Sequence, residues 1–221
     1  MTENTDKINI GYNQKSETED SLNMILMFLR KIKYVNSRWL RGIIYRKKFK
    51  SVGKSLRMGK NVIIKNPRFI EFGNDVNISK DALFLPLAEY KGKLYNPTIK
   101  IGNNVHIGIR NSFAAIDQVI IGNNVLFAGF VHITDHSHGY EDINKSISSQ
   151  PLISKGPVII EDECWLGFGC EILSGVTIGR HSIVGARAVV TKSIPPYSIV
   201  GGNPAKLIKQ YSFETKKWER V

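Results

Sequence analysis

The stretch VIIEDECWLGFGCEILSGVTIGRHSIVGARAVVTK, residues 158–192, repeats one pattern at every sixth residue. Its aliphatic positions are Ile160, Leu166, Ile172, Ile178, Val184 and Val190. A second, mostly small set lies two residues before each of them: Val158, Cys164, Cys170, Val176, Ser182 and Ala188. Because strand residues two apart face the same side, each hexad predicts a short strand with two inward residues, followed by a turn.

Neither a helix nor an ordinary antiparallel meander repeats at six residues. A triangular prism does, because each hexad forms one flat face and three hexads form one coil. Successive coils then stack at the strand spacing of about 4.8 Å, and each coil needs its neighbours to bury its interior residues. The sequence therefore predicts an all-β protein built as a parallel β-helix.

The same six-residue step occurs upstream, at Phe72, Ile78 and Phe84, at Ile101, Ile107 and Phe113, and at Ile121, Phe127 and Ile133. It predicts a β-helix domain over residues 56–210 and a C-terminal tail over residues 211–221. Two insertions, residues 85–98 and 134–157, interrupt the count, and the second is expected to protrude as a long loop of functional interest. Cys164 and Cys170 fall on successive faces, which favours core packing over a shared metal.

The N-terminal quarter differs in charge from the rest of the chain. Residues 1–20 are polar and acidic, which predicts a disordered tail. Residues 21–55 read as a basic amphipathic helical segment, and residues 21–70 hold 14 Lys and Arg with no Asp or Glu, within a net charge of +12. Two interpretations stay open: a helix packed on its own domain, or residues 21–50 lying on an anionic membrane surface. No recognised nucleic-acid module is present, so no nucleic-acid partner is expected.

Targeting signals are absent by the same inspection. No run approaches the ~20 consecutive apolar residues that a membrane span needs, and the polar N-terminus does not read as a secretory signal. Two cysteines are too few for a disulfide framework. We therefore expect a cytoplasmic protein, with any membrane contact peripheral and at the inner face.

The tract CWLGFGCEILSGVTIGRHSIVGARAVVTKSIPPYSIVGGNPAKLI, residues 164–208, resembles the C-terminal coils of the left-handed β-helix, or hexapeptide-repeat, acyltransferases. Its nearest branch is that of the maltose and galactoside acetyltransferases, with the O-acetyltransferases of bacterial surface polysaccharides. The latter resemblance extends over VHIGIRNSFAAIDQVIIGNNVLFAGFVHITDHSHGY, residues 105–140. The resemblance implies left-handed coils, a homotrimer, acetyl-CoA in the cleft between adjacent prisms, and direct transfer with a loop histidine as general base.

The residues VHITDHSHGY, 131–140, hold three of the five histidines of the chain. Matching them to the family's loop assigns the general base to His136, with His138 as the alternative. Asp135 or Asp117 would orient the ring and stabilise the imidazolium. An imidazole with a pKa near ~6.5 suits proton abstraction close to neutral pH.

The resemblance also implies the acetyl-CoA site. Trp165, Gly167 and Ala186 would lie along the cleft, and Thr191, Lys192 and Lys206 would contact the nucleotide end, where lysines suit phosphates. Phe168 departs from the family, whose sugar enzymes often carry a small polar residue there. Asp117 and Asn111 are the candidate contacts to a saccharide acceptor, although the segment NSFAAID lacks the sugar enzymes' asparagine beside the acceptor.

These residues favour an acetyl-CoA-dependent O-acetyltransferase that modifies a sugar hydroxyl of a surface polysaccharide or its precursor. One alternative is N-acetylation of an amino sugar nucleotide, which many related prisms perform with an added N-terminal domain. Another is a zinc-dependent hydratase of the carbonic anhydrase type, in which His132, His136 and His138 would bind the metal. Because these three lie in one short segment, no metal site is predicted.

Overall fold

A computed structural model describes Met24 and residues 38–221, without the side chain of Trp39. The predicted tail 1–20 and the first part of the predicted helical segment, residues 21–37, therefore lie outside the described range, Met24 excepted. Every strand of the described residues lies in one compact unit, Ser37–Val221.

Three sheets of short strands make up the body of the protein. Sheet 1 contains β1 (Ser51–Val52), β4 (Ile70–Phe72), β9 (Thr98–Ile101), β12 (Gln118–Ile121), β17 (Val158–Ile160) and β20 (Thr177–Ile178). Sheet 2 contains β2 (Arg57–Met58), β5 (Asn77–Ile78), β10 (His106–Ile107), β13 (Leu126–Phe127), β18 (Trp165–Leu166), β21 (Ile183–Val184), β23 (Ser198–Gly201), β24 (Lys206–Ser212) and β25 (Lys217–Arg220). Sheet 3 contains β3 (Ile63–Ile64), β6 (Leu83–Pro86), β11 (Ser112–Ala115), β14 (His132–Thr134), β19 (Glu171–Ile172) and β22 (Val189–Val190).

From β1 to β22, successive strands of the body pass from sheet 1 to sheet 2 to sheet 3 and back, and they pair in parallel. Strand β23 then joins sheet 2, parallel to β21. The chain is thus a coil with three sides, which is the parallel β-helix architecture that the six-residue repeat predicts. Two small antiparallel pairs project from it: β7 (Glu89–Tyr90) with β8 (Lys93–Leu94), and β15 (Ser137–His138) with β16 (Leu152–Ile153). Short 3₁₀ helices occupy Arg46–Lys48, Pro67–Phe69 and Ile147–Ser149.

The inward residues form one continuous hydrophobic core along the coil axis. In the N-terminal half the core is aromatic, because Phe72, Phe84, Phe113 and Phe127 follow one another at ring-centroid distances of 5.7, 4.9 and 5.5 Å. The C-terminal half is packed with smaller aliphatic side chains and with the buried Cys164. Burial raises the pKa of the Cys164 thiol to about 11, so this side chain behaves as an apolar core group.

An asparagine ladder fixes the corner between sheets 1 and 2. The side-chain oxygen of Asn103 accepts the backbone N–H of Asn74 at 2.8 Å, and that of Asn123 accepts the N–H of Asn103 at 2.9 Å. Asp162 ends the ladder by accepting the N–H of Asn123 at 2.6 Å. Each step satisfies a corner amide that the sheets leave unpaired, so the ladder sets the register of successive coils.

A helix closes the N-terminal end of the coil. Helix α1 (Arg38–Tyr45) lies against β2, where Arg41 Nε donates to the Met58 carbonyl oxygen at 2.9 Å. Gly42 is required at this contact, because a Cβ there would overlap the Leu56 carbonyl oxygen. The described part of the predicted helical segment therefore packs on its own domain.

The β-structure extends beyond both ends of the β-helix domain that was predicted over residues 56–210. The coil starts at Ser51, not at residue 56, and the step of six through Val52, Met58 and Ile64 agrees with this earlier start. Residues 211–221 were expected to be a tail, yet they complete β24 and form β25. Tyr211 pairs with Trp218 across this antiparallel hairpin, with ring centroids 5.5 Å apart, and this contact holds the end of the chain to sheet 2.

Candidate active site

The candidate site lies at the corner where the chain passes from sheet 3 to sheet 1. Three successive coils cross this corner by different connections: residues 87–97, the short turn 116–117, and residues 135–157. The two long connections therefore flank the short turn. This arrangement brings the two insertions, which are far apart in sequence, to one edge of the molecule.

Asp135 is the fixed centre of this corner. Its carboxylate is fully buried and accepts the backbone N–H groups of Ile116 at 2.9 Å and of Asp117 at 2.8 Å. The same carboxylate lies 2.9 Å from Nδ1 of His136. In the tautomer whose Nδ1–H donates to this carboxylate, Nε2 is left with its lone pair.

The surroundings of His136 restrict its ring further. The side chain is 11% exposed. Thr134 Oγ1 lies 3.3 Å from Nδ1 and donates to the His136 carbonyl oxygen at 3.0 Å. Ser174 Oγ, from the next coil, donates to the Asp135 carbonyl oxygen. A ring that is oriented in this way and still reachable from solvent has the geometry of a general base.

A second histidine stands beside the pair. His132 lies in β14, on the outer face of sheet 3, next to Glu171 of β19. Burial lowers the pKa of His132, Glu171 opposes that shift, and a proton on His136 would add to it. The lowered pKa of His132 therefore favours the neutral form of the His132 ring, which lies close to His136.

His138 has a different environment from His136. It is exposed, its ring packs edge-on against Tyr90 at 5.5 Å, and its Nδ1 lies 3.4 Å from the Tyr90 hydroxyl. It has no carboxylate contact comparable to that of His136 among the contacts of the described residues. The structure thus gives His138 a place in the contact between the two insertions.

Two tyrosines that sequence reasoning missed join the insertions. The Tyr95 hydroxyl accepts the backbone N–H of Leu152 at 3.0 Å and donates to the carbonyl oxygen of the same residue at 3.2 Å. Tyr90 reaches the Ser148 carbonyl oxygen at 3.5 Å. Both tyrosines lie in the first insertion, LPLAEYKGKLYNPT. Aromatic residues in a polar loop were the sequence signal that this loop contacts another part of the protein.

The two candidate acceptor residues separate in the structure. Asp117 is partly exposed at the short turn between the insertions, one residue beyond the Asp135 contact with Ile116. Asn111 is fully buried, and its side-chain oxygen accepts the Val131 N–H at 2.8 Å. Its expected contact with an acceptor is therefore wrong: like the ladder asparagines, it satisfies a backbone amide of the next coil.

The candidate cofactor residues fall on two different edges. Thr191 and Lys192 are exposed at the corner that also carries His136, two coils further along. Trp165 is 48% exposed on sheet 2, Ala186 is exposed at the corner between sheets 2 and 3, and Lys206 is exposed at the start of β24 in sheet 2. One chain therefore does not bring Trp165 and Ala186 to His136.

Gly167 corrects one further expectation. It is buried, and a Cβ there would lie 2.6 Å from the Ala186 nitrogen and from the Val184 carbonyl oxygen. Glycine is needed because the next coil approaches closely, so the space gained by its missing side chain is filled by the protein itself and is not open to a ligand.

Apolar side chains are exposed around Trp165, on sheet 2 and its corner with sheet 3: Ile109, Leu126, Phe130 and Phe168. Phe130 and Phe168 pack at 5.0 Å, and Arg110 and Arg187 lie over their respective rings. We call this set the apolar face. A contiguous apolar surface of this kind marks an interaction site.

Two absences hold for the described part of the chain only. Within residues 38–221, no three His, Cys, Asp or Glu side chains are grouped so that they could bind a metal ion. Over the same part, every helix falls short of the length and hydropathy that crossing a bilayer requires.

Comparison with known proteins agrees with the fold. A family model described as bacterial transferase hexapeptide (six repeats) matches residues 157–192. The chain is 36% identical over 133 residues to the putative lipopolysaccharide biosynthesis O-acetyl transferase WbbJ of Escherichia coli K12, covering 58% of this chain and 65% of that protein. The chain spans less than two thirds of the length of the first curated relatives it matches.

Two solved structures are similar over most of the chain. AntD, an N-acyltransferase from Bacillus cereus, superposes with a TM-score of 0.68 at 20% identity, over 82% of this chain and 93% of that one. A hexapeptide-repeat-containing acetyltransferase of Vibrio cholerae, VCA0836, in complex with acetyl coenzyme A, gives a TM-score of 0.52 at 25% identity, over 78% and 76%. The six-residue repeat and the three parallel sheets agree with the hexapeptide match over residues 157–192, and the likeness to these solved structures shows a shared fold.

Proposed function

We propose that this chain is an acetyl-CoA-dependent O-acetyltransferase that acts on a sugar hydroxyl of a surface polysaccharide or its precursor. The observation that carries the proposal is the buried Asp135 carboxylate, held by two backbone amides and bonded to Nδ1 of His136. The similarity to the O-acetyl transferase WbbJ and to an acetyltransferase that binds acetyl coenzyme A supports the acyl donor and the acceptor class.

The proposed reaction is a direct transfer. Nε2 of His136 takes the proton of the acceptor hydroxyl as its oxygen attacks the thioester carbonyl carbon. The C–O bond forms, the C–S bond breaks, and the imidazolium returns the proton to the CoA thiolate. Asp135 would stabilise the imidazolium without taking its proton, and Asp117 would contact the acceptor. A base of this kind contributes roughly 10²–10⁴-fold to the rate.

We further propose a left-handed coil and a homotrimer, both implied by the family resemblance. The trimer is supported by the separation of the candidate residues, since Trp165 and Ala186 lie on other edges than His136. A neighbouring copy would bring its apolar face to the base and complete an acetyl-CoA cleft with Thr191, Lys192 and Lys206. The proposed location is the cytoplasm, with peripheral membrane contact through residues 21–50, of which the structure describes residues 38–50 and Met24.

Calorimetric titration with acetyl-CoA tests the donor. Wild type and His136→Ala are expected to bind one molecule per chain, because the base is not needed for binding. Release of free CoA thiol is then followed with hydroxyl-bearing saccharides and, in parallel, with amino sugar nucleotides. We expect His136→Ala to lose ~10²–10⁴-fold of the hydroxyl-dependent rate, and the matched variant His181→Ala, whose ring is exposed beside Glu163, to keep it.

Two outcomes would overturn the proposal. Failure of the wild type to bind acetyl-CoA would remove the donor. A reaction with amine acceptors alone would assign N-acetylation, the activity named for AntD, to this chain.

A further inference from the structure

The N-terminal end of the β-helix is strongly basic. Residues 38–70 contain eleven Lys and Arg and no Asp or Glu, whereas residues 71–221 contain 15 Lys and Arg against 14 acids. The basic charge of the described chain is therefore concentrated in helix α1, the 3₁₀ turn Arg46–Lys48 and the first coil, residues 51–69. We call these parts the basic end.

The cations of the first coil surround its whole circumference. Lys54 is at the corner between sheets 1 and 2, Arg57 on sheet 2, Lys60 at the corner between sheets 2 and 3, and Lys65 and Arg68 between sheets 3 and 1; all five are exposed. The strands β1, β2 and β3 of this coil are the terminal strands of their sheets. The charge thus forms a ring at one end of the coil axis, not a stripe along one side.

Exposed apolar side chains accompany this charge. Ile43, Ile44 and Tyr45 of helix α1 are 45%, 47% and 39% exposed, and Ile63 of the first coil is 56% exposed. A polyanion such as nucleic acid would use the cations but leave these side chains in water. A bilayer of anionic lipids satisfies both, because its headgroups attract the cations and its interface accepts the apolar groups.

The nearest acids lie in the second coil. Glu71 pairs with Lys50 at 2.7 Å, and Asp81 lies 3.8 Å from Arg110 of the third coil and accepts a bond from Asn61. Asp75 is exposed. None of these carboxylates makes an ion pair with the five ring cations among the ion pairs of the described residues, so the ring keeps its charge for a partner.

We propose that the basic end binds an anionic bilayer with the coil axis along the membrane normal. What this orientation implies for the acceptor rests on the proposed function. In sheet 3 the strand order β3, β6, β11, β14 places the strand before His136 three strand spacings from the first coil. At about 4.8 Å each, the base stands about 14 Å from the first coil along the coil axis. The substrate class that fits is a saccharide attached to a membrane lipid, with its reacting hydroxyl at that height.

Vesicle co-sedimentation with the full chain tests the orientation. Phosphatidylcholine vesicles are compared with vesicles in which about a third of the lipid is phosphatidylglycerol. Lys54→Glu/Lys60→Glu/Lys65→Glu removes one cation from each corner, and Lys216→Glu/Lys217→Glu/Arg220→Glu makes the same charge change in exposed residues at the other end. We expect wild type and the C-terminal variant to bind anionic vesicles alike, and the basic-end variant to bind at least tenfold more weakly.

Three results would overturn the docking: equal binding by the two variants, equal binding to neutral vesicles, or preferential binding of wild type to RNA over anionic vesicles. Acetyl-CoA titration of the same variants keeps the two proposals separate, since the basic end takes no part in donor binding. On a lipid-linked acceptor the basic-end variant should be at least tenfold slower than wild type, and on a soluble acceptor equally fast. Equal loss on both acceptors would contradict the proposed height of the base above the bilayer.

Discussion

The Asp135 carboxylate owes its position to the backbone. Two amides of the neighbouring coil, Ile116 and Asp117, bind it where a coil corner leaves them without a sheet partner. Burying a carboxylate is costly unless it is hydrogen-bonded, and here three donors meet it, the third being His136. The same bonds that make burial tolerable also orient the ring of His136, the proposed base.

Asp135→Asn tests this double role. An asparagine side chain accepts hydrogen bonds only through its oxygen. Its NH₂ group would therefore face one of the groups that donate to Asp135 and could not accept from it. We expect the variant to lose about 1–3 kcal/mol of unfolding free energy and at least tenfold in kcat, with unchanged affinity for acetyl-CoA. Urea unfolding and the thiol-release assay measure both. Asp142→Asn, at an exposed carboxylate of the same connection, should change neither; a kcat equal to wild type in Asp135→Asn would remove the orienting role.

His132 predicts a pH dependence of stability. Its pKa is lowered in the folded protein, chiefly by burial. Above pH ~6.5, the pKa of histidine in the unfolded chain, His132 is neutral in both the folded and the unfolded protein. Its ionisation then does not affect the unfolding free energy. Below this pH the unfolded chain binds the proton first, so this contribution to the unfolding free energy falls as pH decreases.

Urea unfolding at pH 7.5 and pH 5.5 measures this effect. His132→Gln should lose less stability than wild type on acidification, whereas His181→Gln, at an exposed position, should follow the wild type. Identical pH profiles for wild type and His132→Gln would show that a group other than His132 causes the loss of stability on acidification.

At the scale of elements, the first insertion supports the second. β16 pairs with β15, which directly follows His136, and both backbone groups of Leu152 in β16 are bonded to the Tyr95 hydroxyl. The first insertion thus completes the hydrogen bonding of the loop that carries His136, the proposed base. A base held within a few tenths of an ångström of its working position needs such support.

Tyr95→Phe removes only this hydroxyl. We expect faster amide hydrogen exchange over residues 137–153, a lower kcat, and an unchanged KM for acetyl-CoA. Tyr140→Phe, at an exposed tyrosine of the same connection, is the matched control. Unaltered exchange in Tyr95→Phe would show that the loop is held elsewhere, and altered exchange with unaltered kcat would separate the loop from catalysis.

The sequence predicted the regular elements better than the irregular ones, for physical reasons. Ile160, Leu166 and Ile172 are buried as the hexad requires, because strand geometry and the closed interior leave few alternatives. Contacts between the insertions, such as that of Tyr95 with Leu152, join residues 57 positions apart. The insertions lack the six-residue repeat, so the sequence pattern could not predict these contacts. Asn111 and Gly167 misled for a shared reason: polar and small residues at corners serve coil stacking as readily as they serve a ligand.

At the scale of the whole molecule, the apolar face predicts assembly. Leu126, beside Trp165 in sheet 2, is 46% exposed, and burial of a carboxylate there without a partner would be costly. Sedimentation of the wild type should therefore give a particle of three chains of 24.9 kDa, and Leu126→Glu should shift it to single chains. Ile143→Glu, 92% exposed in the long connection, should remain trimeric. A monomeric wild type would refute the trimer and, with it, a cleft shared between copies.

The closed ends of the coil also bear on how the protein avoids forming fibres. A stack of parallel strands offers an open edge at each end, and such edges template the addition of further chains. Here helix α1 covers one end, and at the other the chain reverses into β24 and β25, whose last strand, KWER, is rich in charge. In sheet 2, growth beyond either end would require displacing the helix or pairing with that charged strand. The molecule thus carries its own stops against polymerisation, and a truncation that removed either one would expose the kind of edge from which amyloid-like filaments grow.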